Sequence, residues 1–477
     1  MSVTILVVSD LHLADGQVPF EGFAEEQERA WKEFLRAASP GGLLTEGKED
    51  DTVELVINGD CFDFLATSPL QHARTRTVAQ ALEKLERIIA AHGSFFEALA
   101  QFLSQPQRRL TFVPGNHDIE LLFPAIQQRL RQVLSRSSAS EEQLRFWQRP
   151  RYEPLPTIAI EHGNFYDFWN HRSAGLWTAD GEPLPPHEEI LLSAGSWYYQ
   201  EAGALIHRRF PYFEHLEPSL SYPSQMALLA LLAPELLCEV VTNLVRLISR
   251  PRQPLAGLRP SERQMALRLF EEAMQDLAAF QRDMQRQKKD WQPVPGWDEQ
   301  QATAALMEDY LRLREALVEA SQPTATEETR RAAVARIFGR STTQQLDSTA
   351  AGMCALLQRE PRLRYALAGH THSWLVQPLA NGYQYYLNTG TWTRRLARPR
   401  PEEMTPAMFA WLYAPHWPPT PSASPLREVT QYTFALIRAA EDGSPSTASL
   451  CAWEIASQPT YRVLAAPPLK RERAVAA

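Results

Sequence analysis

The sequence predicts an α/β fold in which strands are covered on both faces and one large helical segment is inserted. Two observations carry this prediction. Short apolar runs, typical of doubly covered strands, start at Val3, Val53, Leu110 and Ile158, and a fifth ends before Gly369. Between His162 and His370 lie 370 − 162 = 208 positions, far more than one crossover helix requires.

Each apolar run leads into side chains that bind metal ions. In chain order these residues are Asp10 and His12, Asp60 and Asp63, Asn116, His117 and Asp118, His162, and His370 and His372. A single His-x-His pair would mean little, because alternate residues on a strand point to opposite faces. The carboxyl ends of strands in layered α/β sheets converge, however, so we expect these side chains to lie close together.

The types of these residues indicate the metals. Carboxylate, amide and imidazole ligands without thiolate suit Mn, Fe or Zn better than Ca or Mg, which prefer all-oxygen shells. Seven of the residues are candidate ligands, which is more than one ion needs: Asp10, His12, Asp60, Asn116, His162, His370 and His372. Two ions about 3.5 to 4 Å apart, sharing a carboxylate, would use them all and clamp a phosphoryl group.

Taken in order, five motifs make the chain similar to the calcineurin-like metallophosphoesterases. They are Asp-x-His, Gly-Asp-x-x-Asp, Gly-Asn-His-Asp, a histidine before glycine, and Gly-His-x-His. The resemblance implies a four-layer α/β/β/α sandwich, here with a large helical insertion. It also implies two divalent ions, with Mn expected and Fe or Zn as alternatives. The first would be held by Asp10, His12, Asp60 and His372, and the second by Asp60, Asn116, His162 and His370.

The remaining three residues have expected roles around the metals. The resemblance places His117 near the leaving-group oxygen as a proton donor, with Asp118 orienting its imidazole, and imidazole is the usual general acid near neutral pH. The alternative is a His-Asp pair that only ties down a turn. Asp63 is expected to accept a hydrogen bond from a ligand such as His12 and thereby fix its tautomer.

A closer resemblance is to the UDP-2,3-diacylglucosamine diphosphatase branch. It rests on Asp-Leu-His-Leu at residues 10–13, Gly-Asp-x-Phe-Asp at 59–63 and Asn-Thr-Gly-x-Trp at 388–392. That branch cleaves a pyrophosphate and places a helical lid over acyl chains, between the equivalents of His162 and His370. It typically carries arginine at the position of His117 and has much shorter chains.

The amino-acid composition further narrows the kinds of protein that the chain could be. The chain has 477 residues and a net charge of −8, which argues against a generally basic nucleic-acid-binding surface. Its four cysteines are scattered, so neither a disulfide framework nor a zinc-thiolate site is indicated. The N-terminus lacks the basic start of a signal peptide. We expect a cytoplasmic protein, with peripheral contact at the inner membrane face left open.

The apolar stretch from Met226 to Ile248 is long enough to span a bilayer, but Pro234, Glu239 and Arg246 interrupt it. We therefore expect no transmembrane helix. Packing in the core of a helical cap is the first interpretation, and an apolar surface for a lipid chain is the alternative.

These observations predict a catalytic domain at residues 1–164 and 360–466, a mostly helical insertion or cap at 165–359, and a loose tail at 467–477. The expected activity is hydrolysis of a phosphodiester or pyrophosphate bond in a phosphorylated small molecule, nucleotide-linked or lipid-linked. A nuclease or phosphomonoesterase of the same superfamily is the alternative. A non-catalytic interaction scaffold is a further one, and loss of ligands would mark it.

Overall fold

The computed structural model of the protein describes residues 3–17, 21–48, 51–70, 75–134, 143–171, 188–247, 267–268, 270–275, 278, 297–339, 347–413, 425–439, 446–455 and 460–467. The predicted tail, apart from residue 467, lies outside these residues.

The strands fall into two main sheets and two short pairs. Their bounds are β1 Val3–Val8, β2 Thr52–Asn58, β3 Thr75–Thr77, β4 Arg108–Val113, β5 Leu144–Phe146, β6 Arg151–Leu155, β7 Ile158–Glu161, β8 Glu189–Leu191, β9 Leu216–Glu217, β10 Tyr365–Ala368, β11 Leu375–Pro378, β12 Tyr385–Asn388, β13 Leu396–Ala397, β14 Tyr432–Ala439, β15 Thr447–Glu454 and β16 Thr460–Ala465. The first sheet has the order β16-β15-β14-β1-β2-β4-β5, and the second has the order β11-β12-β10-β7-β6.

The described helices surround these sheets or form a separate group. Their bounds are α1 Glu25–Ala37, α2 Val78–Ala91, α3 Gly93–Leu103, α4 Pro124–Leu134, α5 Ala194–Tyr198, α6 Ala204–Arg209, α7 Tyr212–His215, α8 Tyr222–Leu232, α9 Pro234–Leu247, α10 Glu299–Ala320, α11 Glu327–Phe338, α12 Ser348–Arg359 and α13 Pro406–Tyr413. A π-helical turn, Tyr199–Gly203, joins α5 to α6.

Alternation along the strands builds the predicted four layers. In β1, Ile5 and Val7 face the second sheet and pack with Ile158 and Leu367. Their neighbours in β1 face the other way, into a core formed with helices α1 to α4. On the outer side of the second sheet, α12 packs against β10 and β12. The layers therefore follow the order helix, sheet, sheet, helix. Alternate side chains of a strand point to opposite faces, so each sheet packs against the other sheet on one face and against helices on the other.

The five apolar runs are confirmed as strands β1, β2, β4, β7 and β10. Strands β1, β2, β4 and β5 are parallel, as are β7, β10 and β12. The apolar stretches at 383–392, 431–439 and 449–456 are predicted from the sequence to complete a second sheet, which is wrong for β14 and β15. They extend the first sheet instead, because β14 pairs antiparallel with β1 and continues into a hairpin with β15.

We use the name cap for the described residues of 188–339. Its core joins α8, α10 and α11 around side chains such as Met226, Leu313 and Ile337. The C-terminal part contributes Phe409 to the same core, and β13 pairs with β9 of the cap. The predicted insertion extends to residue 359, yet α12 packs on the second sheet. Among the described residues, no helix is long and apolar enough to cross a membrane.

Candidate metal centre

The structure brings the predicted ligands together at the carboxyl ends of the strands. Three groups have ligand atoms within 4.8 Å of one another. They are Asp10, His12 and His372; Asp60, His162 and His370; and His12, Asp60 and His117. Asn116 completes the seven candidates by lining the same cavity as Asp60, His370 and His372. Residues as far apart in sequence as Asp10 and His372 therefore meet at one edge of the sandwich.

The backbone at these strand ends adopts a conformation that L-residues rarely adopt. Five of the seven candidate ligands have positive φ, namely Asp10 at 56°, His12 at 49°, Asp60 at 52°, His370 at 69° and His372 at 61°. Left-handed φ at non-glycine residues carries a cost, and such residues are concentrated at functional sites where surrounding structure enforces them. The sharp turn after each strand aims each side chain into the space between the strand ends.

Two histidines expose Nε2 because their other nitrogen is already bound. His12 donates from Nδ1 to Asp63 Oδ2 at 3.2 Å, and His162 donates from Nδ1 to the Asn58 carbonyl at 2.8 Å. A neutral imidazole that donates through one nitrogen presents a lone pair on the other. The Nε2 atoms of His12 and His372 lie 3.0 Å apart, so both can reach one ion.

Asp60 lies between the two groups. Its Oδ2 is 3.1 Å from His162 Nε2 and 3.8 Å from His12 Nε2, while its Oδ1 accepts the His117 backbone N–H at 2.8 Å. The backbone of Gly115 lies so close to the Asp60 carboxylate that a Cβ at this position would clash with it, which explains the glycine. Asp60 therefore lies between His12 and His162, and its role as a bridging ligand stays a prediction.

Burial and charge prepare these groups for cations. Burial opposes ionisation of Asp60, but the positive charges of His162 and His117 outweigh it and hold the pKa of Asp60 well below its usual range. Burial likewise opposes the charged form of His162, yet Asp60 raises the pKa of His162 to about 9. Buried carboxylates that stay ionised need positive partners, which metal ions supply as well as imidazolium does.

Asp118 does not orient His117, which corrects that prediction. The Asp118 carboxylate accepts backbone N–H groups from Gly115 at 2.6 Å and Cys61 at 2.8 Å, and so ties two strand-end loops together. Asp63 occupies the position beside His117 that was predicted for Asp118. Its Oδ1 lies 3.1 Å from His117 Nδ1, and its Oδ2 faces His12. Asp63 therefore contacts both histidines from the turn formed by residues 60–63.

Asp167 is a polar residue of the site that the sequence motifs do not contain. His370 donates from Nε2 to Asp167 Oδ2 at 3.2 Å, which leaves Nδ1 of His370 for an ion. Burial opposes the charge of Asp167, but the hydrogen bond and charge of His370 lower the pKa of Asp167. A carboxylate five positions after His162 was a signal in the sequence, but nothing in its spacing linked it to His370.

A cavity of about 570 Å³ runs from the candidate ligands into the cap. At one end it is lined by Asp60, Asn116, His117, His370 and His372. Its walls come from the loop after His162 and from the cap, and include Trp169, Tyr198, Tyr199, Phe213 and Tyr222. The Tyr199 ring meets the His117 ring edge-on, with ring centres 5.4 Å apart. The cap therefore touches the site directly.

Comparison with known families agrees with this geometry. Residues 3–207 match the model of the calcineurin-like phosphoesterases. The matched part, 205 of the 477 residues, is similar to this family. Its members are metal-dependent phosphoesterases, so the chain is a metal-dependent hydrolase of phosphoric esters. The matched segment ends before His370 and His372, which the fold brings to the site. A search of curated proteins gives no match.

The residues present fit the ions that the family implies. Among the described residues, Asn116 Oδ1 is buried without a hydrogen-bonding partner, and His162 Nε2 has the Asp60 carboxylate 3.1 Å away. Both belong to residues that face the space between the strand ends. A buried acceptor without a donor is costly, and a cation between the two groups would satisfy both. The donor set of imidazole, carboxylate and amide suits Mn, Fe or Zn.

Proposed function

We propose that the chain is a binuclear phosphoesterase that hydrolyses a phosphodiester or pyrophosphate bond. One ion would be held by Asp10, His12, Asp60 and His372, and the other by Asp60, Asn116, His162 and His370. The observation that carries the proposal is the pair of ligand groups, on Asp10 and on His162, with Asp60 within reach of both. Manganese is the metal we would load first.

The chain's own residues have distinct tasks in this proposal. When bound, the two ions would polarise the phosphoryl oxygens and supply a nucleophile at neutral pH. His117 lies at the ligand end of the cavity and turns Nδ1 to Asp63, which leaves Nε2 for the leaving-group oxygen. The edge-on Tyr199 ring restricts how the imidazole can rotate. His117 is thus held as a donor beside the bond that breaks.

Cavity size supports a substrate with a substantial group beyond phosphorus. A simple phosphomonoester would fill only the ligand end of the 570 Å³ space. Aromatic side chains such as Trp169 and Tyr222 also line this space and offer flat contact surfaces. This supports a diester or pyrophosphate with a ring-bearing or similarly bulky group.

The same geometry favours a compact, nucleotide-linked group over a long acyl chain. The lipid-surface alternative relied on the segment starting at Met226. Met226, Leu228 and Leu229 are fully buried in the cap core. Helix α8 meets the cavity through its first turn, at Tyr222, Pro223 and Gln225. Packing within the cap therefore accounts for this apolar segment without a lipid.

The test is a substrate series with the manganese-loaded protein. We would compare an aryl phosphodiester, an aryl phosphomonoester, and UDP-sugars with and without acyl chains. The proposal expects turnover of the diester or the pyrophosphate to exceed that of the monoester, with no requirement for acyl chains. The Asp60→Asn variant is the control for contaminating phosphatases. A protein that binds two ions yet cleaves only the monoester, or none of the four, would contradict it.

A further inference from the structure

We propose that the cap and the loop after His162 together complete the second metal site, with Asp167 and Asn170 of the loop and Ser196 of the cap as positioning residues for two of its ligands. This inference rests on the proposed binuclear function. It gives the cap a task besides forming the substrate cavity. The ligands concerned are His370 and Asn116, which lie on different loops of the sandwich.

The first connection runs through the imidazole of His370. Asp167 Oδ2 accepts its Nε2–H at 3.2 Å, which fixes the tautomer and leaves Nδ1 for the ion. The Asp167 carboxylate is itself held, because Oδ1 accepts the Trp169 backbone N–H at 2.9 Å and Oδ2 accepts Asn170 Nδ2–H at 2.6 Å. His370 can therefore keep its orientation only while the loop after His162 is in place.

The second connection leads from Asn170 into the cap. Asn170 Oδ1 lies 3.3 Å from the hydroxyl of Ser193, the residue that caps the N-terminus of α5. The Ser193 oxygen also accepts the Ser196 backbone N–H at 3.0 Å. Gly195 donates its backbone N–H to the Trp169 carbonyl at 2.7 Å. The first turn of α5 is thereby fastened to the Asp167 loop.

The third connection returns from α5 to the other ligand. The Ser196 hydroxyl donates to the backbone carbonyl of Asn116 at 3.1 Å, and Ser196 is almost fully buried. Asn116 has the buried Oδ1 without a partner among the described residues. Holding the backbone of Asn116 from the cap side fixes where this oxygen points. The network therefore joins His370 to Asn116 through the first helix of the cap.

The first metal site is held differently. Asp10 accepts the His370 backbone N–H at about 3.0 Å, and His12 donates to Asp63. These supporting groups belong to the strand-end loops of the sandwich. Damage to the cap network should weaken the second ion selectively, since partners that orient ligands typically change metal affinity by about 10- to 100-fold.

The experiment is manganese titration of the metal-free protein by calorimetry, together with the spectrum of the spin-coupled manganese pair. We would compare wild type with Asp167→Asn and Ser196→Ala, the second of which removes only a hydroxyl. Asp298→Asn is the matched control, because Asp298 caps α10 through Gln300 and Gln301 and asparagine caps equally well. Wild type and control should bind two ions with the same affinities.

In both network variants we expect the second ion to bind about 10- to 100-fold more weakly, with the first ion within about twofold of wild type. The spin-coupled signal should fall accordingly at limiting manganese. Two ions bound with unchanged affinities in both variants would overturn the inference. Equal weakening of both ions would also overturn it, by showing a general folding effect. Wild type that binds one ion would instead refute the binuclear function itself.

Discussion

The strand-end loops of the sandwich and the cap face each other across one cavity, but they contribute different chemistry. The loops supply the ionisable ligands, several of them on backbone with positive φ. The cap supplies aromatic walls and serine hydroxyls, and its own core is apolar. The difference indicates that the loops define which bond can be cleaved, and the cap defines which molecule can reach them.

The largest effect is expected from a change at the residue that the two proposed metal sites share. Asp60→Asn keeps the side-chain volume but removes the charge that both groups use. We expect a loss of kcat of at least about 10³-fold for every substrate, together with reduced manganese binding. Steady-state kinetics and metal analysis of the same samples would check it. Full activity of Asp60→Asn would show that the chemistry lies elsewhere.

The next largest effect should come from the proton donor. His117→Ala should retain both ions but lose about 10²- to 10⁴-fold in kcat for substrates with poor leaving groups. The loss should shrink for an aryl phosphodiester, because its leaving group needs no proton. A Brønsted series of leaving groups is the measurement. Equal losses across the series would make His117 a positioning residue only.

A cap residue should act on substrate choice without touching the metals. Tyr222 lines the cavity and packs against Tyr198, with ring centres 5.4 Å apart. For the preferred bulky substrate, Tyr222→Ala should lower kcat/KM by about 10-fold or more. Activity on a small aryl diester should stay within about twofold. Met307→Ala, at an exposed cap position, is the control. Equal losses on both substrates would place Tyr222 in the chemistry.

Some buried charge in the sandwich should serve stability alone. Burial opposes the charged form of His92, but hydrogen bonds from its ring to Glu21 and Glu28 outweigh it and raise its pKa to about 9. A raised pKa stabilises the fold fully below the unfolded value of about 6.5, by up to about 3 kcal/mol, and this is lost as the pH rises through about 9.

The stability of wild type relative to His92→Gln should therefore fall between these pH values. Denaturant unfolding of the metal-free proteins across the range is the measurement. A difference in the free energy of unfolding that does not change with pH would contradict this assignment. Activity should follow only the folded fraction, since His92 does not line the cavity.

The strands and the ligand motifs were predictable because their signals are local. An apolar run followed by residues of metal-binding type predicts both the strand and the turn that follows it, and the sequence contains five such runs. The sheet to which a strand is added is not set by local sequence, which is why the sequence predicts the wrong sheet for β14 and β15. Strand β14 pairs with β1, which lies more than 400 positions away in sequence, and β15 follows β14 through the hairpin.

The partners of the ligands were harder to predict for the same reason. Asp118 is adjacent to His117, yet its carboxylate turns to backbone N–H groups, and Asp63 reaches His117 from another loop. Asp167 and Ser196 carry no motif, and only packing of the cap on the sandwich shows what they contact. Sequence spacing identifies residues that share a turn, but not residues that meet across two loops.

The central claim is that two ions share Asp60, and anomalous diffraction from a manganese-loaded crystal tests it most directly. We expect two manganese peaks about 3.5 to 4 Å apart on either side of the Asp60 carboxylate. One should be bound by His12 and His372, and the other by Asn116, His162 and His370. A single peak at saturating manganese, or two peaks that do not both contact Asp60, would contradict the account.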